Sequence, residues 1–101
     1  MKQQLAMVSL LVKDYDEAIE FYTRKLGFQL LEDSRVTGTK RWVVVAPPGS
    51  TSSLLLAKAA TIEQEKAVGQ QTGGRVFLFL HTDNLERDYQ RLLKEQIEIV
   101  R

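Results

Sequence analysis

The chain has 101 residues, which is long enough for one small domain, and it is 44% apolar and 27% charged. Because its 14 basic and 13 acidic residues nearly cancel, it lacks the basic surface typical of nucleic-acid-binding proteins. No apolar run approaches the roughly 20 residues that span a bilayer, and the amino terminus does not resemble a secretion signal. The absence of cysteine excludes disulfides, thiolate nucleophiles and Cys-ligated zinc, and together these features predict a cytoplasmic protein with no nucleic-acid or membrane partner.

The first predicted elements are a strand and a helix that follows it directly. Residues 5–12 form an apolar run that is too short for a typical helix and is bounded by polar residues, which indicates a strand covered on both faces. Asp14 is a favourable helix N-cap, an apolar stripe at helical spacing follows it, and Gly27 supplies a C-terminal stop. Alternation along the strand places these side chains on one face: Met7, Ser9 and Leu11.

Three more strands are predicted before the sequence becomes irregular. The stretches FQLLEDSRV and RWVVVA are typical of two strands joined by a turn, and SLLLA (residues 53–57) is typical of a short buried strand. Residues 58–74 are the least regular part, although a capping box of Thr61 and Gln64 and a stop at Gly69 predict a helix of two turns. The first half is therefore predicted to be strand, helix, strand, strand, strand.

After two glycines at positions 73 and 74 the opening pattern starts again. A strand is predicted over residues 75–82, a capping signal follows at Asn84, and an apolar stripe then predicts another helix. A shift of seventy residues superposes the two strand–helix units, which favours an internal repeat, although any two such units look similar. The same shift carries the second copy about 27 residues beyond Arg101, so either the polypeptide is shortened or its incomplete sheet must be capped, paired or left with exposed edges. The expected organisation is one domain, residues 1–101, with these parts: module one at about 5–58, a linker at about 59–74 and a truncated module two at about 75–101.

Three motifs carry a family resemblance over nearly the whole chain: MVSLLVKDYDEAIEFYTRKLGF, RWVVVAPPGS and QQTGGRVFLFLHTDN. They resemble the vicinal oxygen chelate superfamily, which includes glyoxalase I, bleomycin-resistance proteins and extradiol dioxygenases. The resemblance implies an α+β fold in which two βαβββ modules form a mixed sheet curled around a cavity, commonly in a homodimer. For this chain it implies one βαβββ module followed by an incomplete βαβ module.

The resemblance also implies a metal site that this sequence does not match. Enzymes of the superfamily hold a divalent metal with a His on the first strand of each module and a Glu near the fourth strand, and they leave open positions for a substrate that chelates through two oxygens. The two His positions fall on Met7 and Phe77, and no Asp or Glu occurs from Ser34 to Ile62, where the Glu of the first module would lie. Because a thioether is a poor ligand for hard divalent metals and a phenyl ring is none, we expect neither a metal nor another cofactor.

If the family register holds, two rows of side chains face the cavity and form the candidate binding site. Met7, Phe77 and Phe79 are residue types that commonly fill a hydrophobic core. The functional alternative is that they line an aromatic pocket for a flat or apolar ligand. Trp42 is either sheet packing or a pocket wall, and His81, the only histidine, is more often a hydrogen-bonded strand residue than a binding or proton-transfer group. No catalytic residue is assigned, and the candidate ligand-binding residues are Met7, Ser9, Leu11, Trp42, Phe77, Phe79 and His81.

Three functions are compatible with this sequence. The preferred hypothesis is a metal-independent small-molecule-binding protein of the bleomycin-resistance type, which sequesters or carries an apolar or aromatic compound in the cavity between the modules. The alternatives are a metal-dependent lyase, isomerase or dioxygenase of the same superfamily with atypical ligands, and a ferredoxin-like interaction module. The expected partners are a small-molecule ligand and a second copy of the chain in a homodimer.

Overall fold

The computed structural model of the chain describes residues 1–94, and for Leu92 and Lys94 it describes the backbone alone. Four strands and three helices form in this part, and the predicted order strand, helix, strand, strand, strand is confirmed for the first half. In chain order the elements are β1 (Met7–Val12), α1 (Tyr15–Glu20) with a π-helical continuation (Phe21–Lys25), β2 (Gln29–Arg35), β3 (Arg41–Ala46), β4 (Ser53–Lys58), α2 (Ile62–Ala67) and α3 (Leu85–Lys94).

The four strands form one mixed sheet that is not closed. Their order is β1-β4-β3-β2, with β1 parallel to β4 and antiparallel pairing elsewhere. Parallel neighbours cannot be joined by a hairpin, so the chain leaves β1 through α1 and returns to it only in β4. This arrangement leaves β1 and β2 as the two edges of the sheet.

The hydrophobic core lies between one face of the sheet and α1. Alternate residues of β3 and β4 point into it, and Val43, Val45 and Leu56 have no exposed surface. Each such side chain stabilises the fold by roughly 1.5–3 kcal/mol through burial. The buried cluster consists of Val12, Tyr15, Ala18, Val43, Val45, Leu54 and Leu56.

Both predicted ends of α1 are confirmed. The Asp14 carboxylate accepts a hydrogen bond of 2.9 Å from the backbone N–H of Glu17, and Gly27 adopts a left-handed φ of +80°. Glycine is favoured there for its conformation, and a Cβ at position 27 would also lie 3.1 Å from the Arg91 guanidinium, which would have to shift slightly. That guanidinium donates to the backbone carbonyls of Arg24 and Lys25, which ties α3 to the end of the first helical segment.

The two later helices begin where the capping signals predict. The Thr61 hydroxyl accepts from the N–H of Gln64 at 3.1 Å, and the Asn84 side chain accepts from the N–H of Arg87 at 2.9 Å. Gly69, with φ of +78°, follows the end of α2. Within residues 1–94 no helix has the length and apolar character needed to cross a membrane.

The strand predicted over residues 75–82 does not form, and this prediction is wrong. A strand needs a hydrogen-bonding neighbour, and in the first module β1 obtains its bonds from β4. Among the described residues, the sheet contains β1 to β4 alone, and none of these strands pairs with residues 75–82. The further strand expected in the stretch IEIVR lies outside the described residues. The βαβββ order also differs from the ferredoxin-like βαββαβ order, so that alternative for the fold is wrong as well.

Candidate functional site

The sheet has one face that the helices do not cover, here called the open face. On β1 the side chains that alternate with the core residues project onto it, and the strand register aligns them with alternate residues of β4. Val44 lies on the same face opposite Leu55, in the pairing of β3 with β4. The aligned open-face pairs of β1 and β4 are Met7 with Ser53, Ser9 with Leu55, and Leu11 with Ala57.

A cavity of 730 Å³ lies at the end of the open face where β1 and β4 finish and β3 begins. Its volume is in the range of roughly 300–1,000 Å³ typical of small-molecule sites. The floor is apolar, and the Trp42 side chain, 37% exposed, supplies the largest ring surface on it. The floor residues are Ser9, Leu11, Trp42, Leu55 and Ala57, and the rim is formed by Thr37, Thr39, Lys40, Arg41, Lys58, Ala59, Ala60 and Gln64.

The charged groups at the cavity are basic. Lys40 and Lys58 lie on its rim, and neither forms an ion pair with residues 1–94. No acidic side chain is among the described residues that line the cavity. The two lysines therefore favour a ligand with an anionic group beside a part that lies on the apolar floor.

Arg41, in the wall of the cavity, connects β3 to α1 and β2 through side-chain hydrogen bonds. Its guanidinium donates two hydrogen bonds to Asp33, the shorter at 2.7 Å, and one of 3.0 Å to Asp16. It also lies over the Tyr15 ring, 5.1 Å from the centroid, while its backbone N–H donates to the Tyr15 hydroxyl. The hydrogen bonds from Arg41 lower the pKa of Asp33 below its usual range. The charge of Arg41 is therefore already compensated, which leaves ligand attraction to the two lysines.

We expect Asp33→Asn to lower the thermal midpoint by several degrees at pH 7 and to lose this effect in acid. Because the pKa of Asp33 is depressed in the folded state, the carboxylate stabilises the fold above its unfolded pKa of about 3.9, and that contribution is lost as the pH falls through the folded pKa. Thermal unfolding followed by circular dichroism between pH 7 and pH 2.5 measures the difference from the parent chain.

Asp16→Asn is the matched control, since Asp16 bonds the same guanidinium but its side chain is 79% exposed. It should change the midpoint less than Asp33→Asn at every pH. Equal effects of the two substitutions, or a gap that persists in acid, would contradict the assigned role of Asp33.

The structure brings together three of the side chains expected at the site and separates the others from them. Ser9, Leu11 and Trp42 line the cavity floor. Met7 is on the same face, opposite Ser53, but lies outside the cavity lining. Phe77 and Phe79 belong to the segment that forms no strand, and Phe79 is 82% exposed, so the facing row predicted for them is not formed by residues 1–94.

His81 lines a different cavity, of 480 Å³, between the turn at Pro47 and Pro48 and the start of α3. Charged side chains at this cavity form ion pairs with one another. Arg87 contacts Asp83 and Asp88, and hydrogen bonds from Thr82 and Arg87 lower the pKa of Asp88. This cavity is therefore a junction between the first module and α3, and the structure does not bring His81 to the open-face site.

Sequence reasoning missed the contributions of β4 and of the rim. Leu55 and Ala57 could have been found from the alternation in SLLLA, because Leu54 and Leu56 take the core face. No sequence pattern identified Lys40 and Lys58 as cavity residues, because a single lysine at the end of a strand is usually an ordinary exposed residue. Their place at one cavity depends on the pairing of β3 with β4.

The fold and the cavity define a class of α+β protein in which a βαβββ module presents one open sheet face with a cavity on it. Residues 4–101 match the Glyoxalase/Bleomycin resistance protein/Dioxygenase superfamily. The chain belongs to this superfamily, as the motifs indicated.

Relatives of the chain are similar over most of their length. A protein of Shewanella frigidimarina (strain NCIMB 400), described as uncharacterized, is 54% identical over 103 residues, which cover 100% of this chain and 76% of that protein. The crystal structure of UcmS2 superposes with a TM-score of 0.74 at 29% identity, over 94% of this chain and 76% of that one. The structure of TnmS3, an antibiotic binding protein from Streptomyces sp. CB03234, superposes with a TM-score of 0.70 at 30% identity, over 92% of this chain and 70% of that one.

The residues at the metal position of the first module do not fit a divalent metal. A thioether, that of Met7, stands where the family enzymes use an imidazole, and the strand register places the Ser53 hydroxyl, not a carboxylate, opposite it. Among the residues that the structure describes, no three His, Cys, Asp or Glu side chains are grouped so that they could hold a metal ion. We derive no chemical step through a metal at this position.

Proposed function

We propose that the protein is a metal-independent small-molecule-binding protein that sequesters or carries an apolar or aromatic compound. The observation that carries this proposal is the open-face cavity, whose floor combines Trp42 with Leu11 and Leu55 and contains no carboxylate. Such a floor holds a flat ligand by burial and by offset or edge contacts with the indole ring. Lys40 and Lys58 favour ligands that carry a negative group beside the aromatic part.

The comparison with TnmS3 supports a small-molecule-binding function. That protein is described as an antibiotic binding protein, and it shares 30% of its aligned residues with this chain at a TM-score of 0.70. The same fold therefore serves antibiotic binding in that protein. Within this chain, burial of an aromatic ligand against Trp42 requires no group that transfers a proton or forms a covalent bond.

We further propose that the functional unit is a cytoplasmic homodimer. The open face has no facing half within residues 1–94, so a ligand on the Trp42 floor would remain exposed to water on its other side. A second copy can supply the apolar row expected from module two, including Phe77 and Phe79. The proposed ligand contacts are therefore Ser9, Leu11 and Trp42 from one copy, with Met7, Phe77, Phe79 and His81 as candidates along the shared boundary.

Metal titration tests the metal-independent part of the proposal. We expect the chain to bind Ni²⁺, Mn²⁺, Zn²⁺ and Fe²⁺ no more tightly than a protein without a metal site does. The reason is that Met7 and Ser53 provide neither an imidazole nor a carboxylate as a ligand. Isothermal titration calorimetry after chelator treatment measures binding, and the double variant Met7→His with Ser53→Glu serves as a positive control that should gain Ni²⁺ affinity.

One tightly held metal per parent chain would overturn the proposal. If that metal also supported turnover of a hemithioacetal or a catechol, and a chelator abolished the turnover, the lyase or dioxygenase alternative would replace it.

A further inference from the structure

Three neutral polar side chains at the open-face cavity have their acceptor atoms occupied by backbone N–H groups. On the rim, Oε1 of Gln64 accepts from the N–H of Ala60 at 2.8 Å. The Thr37 hydroxyl accepts from the N–H groups of Thr39 and Lys40, at 3.3 and 3.0 Å. The amide hydrogens of Gln64 and the hydroxyl hydrogen of Thr37 have no acceptor among the described residues. These two side chains therefore face a ligand as hydrogen-bond donors.

The third of these side chains, Tyr15, is the most buried. It is 7% exposed and belongs to the hydrophobic core, and it also lines the end of the cavity. Its hydroxyl oxygen accepts from the N–H of Arg41 at 3.2 Å, while its hydroxyl hydrogen has no acceptor within residues 1–94. A buried donor without an acceptor costs free energy, because it has lost its bond to bulk water without a replacement. An oxygen atom of a bound ligand would accept this bond and remove the cost.

The fold determines which end of the Gln64 amide is available to a ligand. Because Ala60 offers an N–H group, the amide oxygen of Gln64 has to face it, which leaves the amide nitrogen for another partner. The backbone at this point is held by the start of α2, where the N–H of Gln64 donates to the Thr61 hydroxyl. The donor character of Gln64 is therefore a consequence of the helix start and does not depend on a free rotation of its amide group.

Donor groups on a cavity wall discriminate between ligands by the acceptors that the ligands carry. A carbonyl or carboxylate oxygen forms hydrogen bonds with such a wall. A hydrocarbon group in the same place leaves the donors unpaired, and an N–H group of a ligand meets another donor. The ammonium groups of Lys40 and Lys58 have the same preference, since an ammonium group donates and never accepts. The wall of the cavity is therefore suited to ligands with exposed oxygen acceptors.

We propose that the Tyr15 hydroxyl and the Gln64 amide are the specificity-determining donors of the cavity, and that its ligand is an aromatic compound with a carbonyl or carboxylate oxygen. This inference rests on the binding function proposed above and narrows its ligand class. Both side chains line the same cavity as Trp42, so the aromatic part packs on the floor while the oxygen accepts from the wall.

Two neutral naphthalenes of similar size test the proposal: 1-acetylnaphthalene, which has a carbonyl oxygen, and 1-ethylnaphthalene, which has none. Their dissociation constants are measured by displacement of N-phenyl-1-naphthylamine, whose fluorescence rises in apolar surroundings. Tyr15→Phe keeps the ring and removes the hydroxyl. It should weaken binding of the ketone roughly threefold to tenfold and leave binding of the hydrocarbon unchanged, because a single hydrogen bond to the ligand is lost.

Gln64→Glu is the second variant, because glutamate keeps an oxygen for the N–H of Ala60 and replaces the amide donors with a further acceptor. It should also weaken binding of the ketone at least threefold and spare the hydrocarbon. Its place on the exposed rim keeps the test decisive should Tyr15→Phe be unstable. Gln70→Glu is the matched control, since it adds the same charge at an exposed position outside the cavity lining and should change neither affinity.

Selective weakening of the ketone in Gln64→Glu and in folded Tyr15→Phe supports the proposal. Unchanged ketone affinity in either folded variant, equal weakening of the two naphthalenes, or an equal effect of Gln70→Glu overturns it. If both naphthalenes displace the probe with the same affinity from every variant, the cavity binds aromatic compounds without these donors, and the binding function stands while this inference fails. A parent chain that binds neither the probe nor the naphthalenes would overturn the binding function as well.

Discussion

Leu56→Ala is expected to lower the free energy of unfolding by about 3 kcal/mol, within the range of roughly 2–5 kcal/mol measured for buried leucines. Leu56 has no exposed surface and packs in the core opposite Val43 of β3. Removing its branched end leaves a cavity between the sheet and α1 that the surrounding strands cannot fill. For a domain of this size such a loss is a large part of the total stability.

Leu55→Ala is the control, because it makes the same chemical change one residue away on the open face. Leu55 is only partly buried and lines the cavity floor, so its truncation should cost roughly 1 kcal/mol and change ligand binding instead. Urea unfolding monitored by circular dichroism gives both values. If Leu55→Ala destabilised the protein as much as Leu56→Ala, the assignment of the two sheet faces would be wrong.

Trp42→Ala is expected to weaken binding of an aromatic anion roughly ten- to hundredfold, because it removes the largest ring surface from the cavity floor. The probe is 8-anilinonaphthalene-1-sulfonate, which combines a flat aromatic part with a negative group for Lys40 and Lys58. Trp42 is the only tryptophan, so quenching of its fluorescence reports occupancy of this cavity directly in the parent chain. Trp42→Phe retains a ring and should lose less affinity than Trp42→Ala.

Phe21→Ala provides a control of matched exposure, since Phe21 is 37% exposed like Trp42 but lies in the helical layer on the other side of the sheet. It should leave probe affinity unchanged. Comparison with the uncharged N-phenyl-1-naphthylamine separates the roles of ring and charge: Lys40→Gln with Lys58→Gln should weaken the sulfonate probe and spare the neutral one. Equal affinity of Trp42→Ala and the parent chain for both probes would refute the open-face cavity as the binding site.

The first module shows how much of a fold local sequence can specify. The β1 run is typical of a strand and is satisfied by pairing with β4. The Asp14 cap and the Gly27 stop are short-range signals, and each is satisfied by a contact within a few residues or by a backbone angle. They were therefore predictable from the sequence. The same reasoning failed for residues 75–82, where the pattern of VFLFL is equally typical of a strand. A strand exists only when another strand bonds to it, and no local pattern contains that partner.

The candidate site also contains residues that were predictable from the sequence and contacts that were not. Ser9 and Leu11 were expected at the cavity from alternation and family register, and Trp42 was expected either there or in sheet packing; the structure places all three on one floor. The Arg41 contacts with Asp16 and Asp33 join residues from three elements, and the Gln71 contact reaches β1 across 60 residues of sequence. Such pairs carry no periodic signal, so sequence reasoning could not find them.

The sequence by itself determined the family, the order of elements in the first module and the replacement of the two usual His ligands by Met7 and Phe77, because these depend on residue identity and on spacing along the chain. The tertiary structure decided which strands pair, and therefore which side chains share the open face and which basic groups stand at its mouth. It also decided that Gln71 occupies the β1 edge while residues 76–80 remain unpaired. Hydrogen bonding between distant segments sets these features, and its outcome depends on which partner is present in space.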